Sequence, residues 1–131
     1  MSFLLNLKPT TLKKGGEAMT RVSYGSYDER IYFEASGHAV ADAESAFTGD
    51  GEAASVCAAV SILMLAAASK FDEMDRNGDF VYCNLTVESG YVCFDIQPRE
   101  DSRQAATDVI ELLICGVALL EENYPELVAL V

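Results

Sequence analysis

His38 is the only histidine in the chain, and Cys57 follows it nineteen residues later in the run Val56-Cys57-Ala58-Ala59-Val60-Ser61. An imidazole can take a thiol proton and later return it to a leaving group, so the pair has the chemistry of nucleophilic hydrolysis. Cys57 falls about one turn inside a helix predicted from about Glu52 to Met74. Unbonded backbone N–H groups and the positive end of the helix dipole favour a thiolate there. The residues between the two are loop and first turn, which lets the imidazole fold back over the thiol. Spacing alone favours a blander use: a cysteine in an alanine-rich helix is ordinarily a small core residue, and a lone loop histidine is ordinarily idle in solvent.

The elements that must position this pair are legible from periodicity. Val22 and Tyr24, then Ile31, Phe33 and Ala35, alternate along 20–24 and 30–35, with 25–29 between them as a turn, which predicts a β-hairpin. Residues 36–51 hold Gly37, Gly49 and Gly51 among small and acidic residues without periodicity, so a long surface loop carries His38. The helix that follows is apolar nearly all round and should be the central buried element. A second hairpin is predicted over 80–88 and 91–97, turned by Ser89-Gly90. Pairing of residues 88 and 91 puts Val81, Cys83, Leu85 and Val87 on one face with Val92, Phe94 and Ile96, and turns Cys93 and Asp95 away. Cys83 and Cys93 should not meet. Ser102 is the expected cap of a last helix running to about Asn123, which Tyr124-Pro125 stops, leaving 126–131 as a short apolar tail. That helix carries more apolar residues than one stripe needs, so a second subunit is expected over part of it. The order β-β, loop, α, β-β, α predicts an α+β two-layer sandwich, an antiparallel-rich sheet of two hairpins covered by two long helices.

Composition narrows the partners. The chain has 131 residues, enough for one domain with a real core. Its 21 acidic and 9 basic residues give a net charge of −12, which repels nucleic acid and anionic membranes and attracts a basic partner. The longest apolar stretch, 53–69, is built of alanine and serine rather than leucine, so it reads as a buried helix and not a span. Residues 1–7 are apolar without a preceding basic region or a cleavage site, and the expected location is the cytoplasm. Four cysteines without C-x-x-C spacing argue against both a zinc site and a disulfide framework, and no metal or other cofactor is expected.

Residues 1–18 read as a flexible leader ahead of a single domain, 19–131. Lys13-Lys14-Gly15-Gly16-Glu17 back-translates to a purine-rich stretch ahead of Met19, as a ribosome-binding site read in frame would, and Met19 is a candidate true start. The leader holds three lysines and one glutamate, so the acidity belongs to the domain. Two other signals are discounted. The segment 73–78 lacks the Asp that opens a calcium loop and the helix that should follow it, and Asp42 and Glu44 read as solvated carboxylates.

Gly37-His38-Ala39, followed by Val56-Cys57-Ala58-Ala59-Val60-Ser61 opening a long helix, resembles the ribosomal-processing cysteine protease (Prp) family. The likeness extends through the glycine-turned strand pair to Tyr124-Pro125-Glu126 and covers about 19–131. It implies a small homodimeric cytoplasmic cysteine endopeptidase that removes the N-terminal extension of large-subunit ribosomal protein twenty-seven, with Cys57 as nucleophile and His38 as general base. Gly37, Asp50 and Ser61 would support the site or bind substrate. The chain departs from the family in a longer link from His38 to Cys57, and in Ala54 where an aspartate normally stands three residues before the cysteine. Asp50 or Glu52 is then the candidate partner for the imidazole. The alternative expectation is a catalytically silent homodimeric binding module of the same fold.

Overall fold

The computed structural model describes residues 20–37 and 51–131, the side chains of 51–54 apart. The leader, Met19, His38, the 39–50 loop with Asp42, Glu44 and Asp50, and the side chains of Glu52 and Ala54 lie outside the described residues. Strands β1 (Thr20–Tyr27) and β2 (Arg30–Gly37) form the first hairpin, helix α1 (Gly51–Arg76) follows, β3 (Phe80–Glu88) and β4 (Tyr91–Pro98) form the second hairpin, and helix α2 (Arg103–Asn123) leads to β5 (Val128–Leu130). The sheet order is β3-β4-β2-β1-β5, antiparallel throughout except for β5, which lies parallel to β1. Both helices lie against this sheet, an α+β two-layer sandwich as expected.

Four details differ from the sequence expectation. The first hairpin is tighter: Gly25, Ser26 and Tyr27 continue β1, paired with Tyr32, Ile31 and Arg30, and only Asp28-Glu29 turn. Asp28 takes φ of 52°, a left-handed conformation that its short polar side chain tolerates. The second hairpin has the predicted register, with Glu88 opposite Tyr91 and Cys83, Leu85 and Val87 on the face of Val92, Phe94 and Ile96. A bulge between Phe80 and Tyr82 breaks it at one end, so Phe80 is buried and Val81 is 61 % exposed instead of facing the core. Ser102 precedes α2 but does not cap it through its side chain; its hydroxyl bonds Asp79 at 3.0 Å. The apolar tail is not loose, because Val128, Ala129 and Leu130 are buried as the fifth strand.

Helix α1 is one-sided rather than enclosed. Val56, Val60, Met64, Ala67, Phe71 and Met74 recur every three or four residues and are buried, while Ile62 is half exposed and the outer positions are small or charged. By length and composition 55–76 could cross a membrane, yet its apolar side is the one packed on the sheet. Phe71 anchors it: its ring meets Phe94 edge-on at 5.4 Å and Phe80 at 5.9 Å, and Phe94 in turn stacks on Phe33 at 5.5 Å. Burying one such ring contributes about 1.5–3 kcal/mol. Helix α2 joins the same core through Ala106, Ile110, Leu113, Ile114 and Val117. It packs tightly on α1 at Gly116, where a Cβ would stand 2.9 Å from the Leu63 side chain.

Candidate active site

The sheet topology fixes where the site forms. β2 runs antiparallel to β4, and β4 to β3, so the last residue of β2 lies beside the Ser89-Gly90 turn. Gly37 donates its N–H to the Gly90 carbonyl at 3.0 Å. Helix α1 returns against β3 through the 77–79 turn, so its first residues come back to that same end of the sheet. Gly37 and Cys57 therefore belong to one end of the molecule. Gly37 also has φ of 132°, a conformation that residues with a Cβ rarely adopt. The tether to Gly90 thus fixes the backbone at the end of β2, the residue before His38. The tether to Gly90 had no sequence signal, because it joins residues more than fifty positions apart.

Cys57 is partly buried against the core. Helix α1 begins at Gly51, which makes Cys57 its seventh residue, about 9 Å along the axis at 1.5 Å per residue. Dipole effects concentrate in the first turn, so the helix end alone activates this thiol less than the sequence reading implied. A base has more to do. The N–H groups without intrahelical partners end at Ala53, four residues before the thiol. Ser61, one turn on, is fully buried and brings a hydroxyl to the inner face of the helix beside Cys57. Among the described residues no cluster of three His, Cys, Asp or Glu side chains converges as a metal site.

The other thiols sit elsewhere, and none of the four cysteines forms a disulfide. Cys83 is on the helix-facing side of β3, paired with Ile96. Burial pushes its thiol up to about 11, aided by the negative charges of Asp75 and Asp72. Cys93 faces the opposite side of the sheet beside Glu34, as predicted. There Tyr32 and Tyr91 both donate to Glu34 Oε2 at 2.8 Å. Those bonds hold both phenols protonated well beyond the usual tyrosine range, since ionisation would set a phenolate against the carboxylate. This cluster is remote from Cys57 in sequence and across the sheet from the helices; it had no sequence signal.

The two-layer sandwich brings the strand end at Gly37 and the helical Cys57 to one end of the sheet. The chain belongs to the cysteine protease Prp family, whose model matches residues 19–129. It is also similar in fold to the crystal structure of SMU.848 from Streptococcus mutans, with 22 % sequence identity and a TM-score of 0.58 over 86 % of this chain and 96 % of that one. Comparison with curated proteins gave no match.

Proposed function

We propose that this chain is a cysteine endopeptidase that removes the N-terminal extension of a basic ribosomal protein, with Cys57 as nucleophile and His38 as general base. The observation that supports the reading is the shared end of the sheet: Gly37, which precedes His38 in sequence, is tethered to Gly90 at the end to which α1 brings Cys57. His38 takes the Cys57 proton, and the thiolate adds to the scissile carbonyl. The unbonded N–H groups at the start of α1, which end at Ala53, would hold the resulting oxyanion. Collapse of the tetrahedral adduct breaks the C–N bond, and the imidazolium gives its proton to the departing amine. Water, deprotonated by the same imidazole, then cleaves the thioester and restores the thiol. Asp50 or Glu52 would orient the imidazole in place of the aspartate that Ala54 lacks. Ser61, buried one turn along the helix, would support the site.

The reading extends to a cytoplasmic homodimer. Leu112 is exposed elsewhere on α2, and Leu119 on α2 and Ile62 on α1 are more than half exposed and line an open apolar groove with Ala58, Ala59 and Gly116. A second copy covering it would adjoin the residues that follow Cys57. The net charge of −12 speeds encounter with a lysine-rich substrate. The test is incubation with the N-terminally extended ribosomal protein twenty-seven of the same genome, beside a Cys57→Ala control. Cleavage by the parent chain alone supports the reading; intact substrate with both overturns it and favours the silent binding module.

A further inference from the structure

The two edges of the sheet are built differently. β5 is three residues long and buried, and the Leu130 N–H is occupied by Glu121 Oε2 at 2.9 Å. That edge is closed by shortness and by a side chain, as edges usually are. β3 is nine residues long, Phe80 to Glu88, with no lysine, arginine or proline in it. Val81 and Val87 stand 61 % and 41 % exposed, and among the described residues no strand lies on its far side.

The free backbone groups of β3 can be assigned. Gly37 gives its N–H to Gly90, so odd-numbered residues of β2 bond even-numbered residues of β4. In an antiparallel ladder the bonding direction alternates, so odd-numbered residues of β4 bond β3, pairing 91, 93 and 95 with Glu88, Thr86 and Asn84. The N–H and C=O groups of Cys83, Leu85 and Val87 therefore point away from the sheet. Carboxylates dominate the surroundings. Asp72 and Asp75 act on Cys83, Glu88 ends the strand, and Glu100 and Asp101 share a surface depression with Val81. Of the nearby cations, Arg76 is paired with Asp72 at 3.2 Å, Arg30 lies over the Tyr82 ring and binds Asp95, and Arg99 lines the depression.

We infer that the β3 edge docks an extended, lysine- or arginine-bearing peptide segment as a sixth strand, held by the outward groups of Cys83, Leu85 and Val87 and by the bordering carboxylates. Strand addition gives affinity through the main chain and selectivity through flanking charge. A second copy is a poorer occupant of this edge, because pairing β3 with its own copy would set Glu88 and the bordering Asp72 and Asp75 near their like-charged counterparts. The surface is independent of the Cys57 chemistry and can stand or fall without it.

The test uses the full chain carrying Cys57→Ala, so that no probe is cut, and a fluorescent nonapeptide alternating lysine and valine, with a glutamate-valine counterpart. Expected are saturable anisotropy with the lysine peptide, at least tenfold weaker binding of the glutamate peptide, and slowed amide exchange at residues 83, 85 and 87. Val87→Pro removes an outward N–H from an exposed edge position without touching the ladder, and should weaken binding at least tenfold, while Val87→Ala should not. Equal binding of both peptides, no binding of the lysine peptide, or protection that avoids β3 would each overturn the inference, and the exchange and peptide arms decide it even if Val87→Pro fails to fold. Dissociation of a dimer by Val87→Pro would also overturn it, by naming a second copy as the occupant.

Discussion

Cys57 and Cys83 are both partly buried thiols against the same core, one on α1 and the other on β3. They sit near different ends of α1. Cys83 is closed in by the sheet and faces Asp72 and Asp75 from the helix above, and its thiol is raised to about 11. Cys57 lies at the sheet end of Gly37, the residue before the chain's only histidine. Exposure does not separate the two thiols. Under the proposed function the charge that each would meet on ionising does, since an imidazole beside Cys57 would favour the thiolate that Asp72 and Asp75 disfavour at Cys83.

The contrast can be broken at several points. The largest effect should come from Cys57→Ala, which removes the nucleophile and should cut peptide cleavage by about 10³-fold or more, whereas Cys83→Ala should leave turnover within about twofold. Comparable losses in both variants would erase the distinction. Phe71→Ala opens the shared core at its aromatic centre and should cost about 3–5 kcal/mol in denaturant unfolding. Because Phe71 lies nearer the Cys83 end of the helix, Cys83 should then label faster, read by mass spectrometry; a change under about 1 kcal/mol would refute this packing.

A smaller effect concerns pH. An acid whose folded pKa is raised stays protonated above its unfolded value, so its contribution to stability is lost as pH rises from 9 toward 11. Cys83 labelling should accordingly keep climbing past pH 9, with a midpoint near 11; a plateau at pH 9 would contradict the burial argument. Smallest is the response to Asp72→Asn with Asp75→Asn. Burial is the larger cause of the shift, so removing both charges should speed Cys83 labelling only several-fold.

The sequence made the second hairpin legible in register from Tyr82 to Gln97 because Ser89-Gly90 marks a two-residue turn and strict alternation fixes the faces. Val81 misled, since its apolarity continues the alternation while the bulge that turns it outward leaves no local mark. β5 was missed because three residues carry no period and its parallel partner is more than a hundred positions away. Of the site, the helix around Cys57 and the position of Ser61 were readable from spacing. Gly37 was readable as a residue but not as a tether, because its hydrogen bond to Gly90 is a product of the tertiary register. The carboxylates around Cys83 were equally hidden, lying on α1 rather than on the strand they influence.

The central claim, that Cys57 is the activated thiol and His38 its base, is tested most directly by competitive alkylation of the native chain with iodoacetamide at neutral pH, followed by peptide mass spectrometry. Cys57 should label at least about tenfold faster than Cys83, Cys93 or Cys115, and His38→Ala should remove most of that advantage. Equal, slow labelling at all four positions, or a Cys57 rate unchanged by His38→Ala, would contradict it.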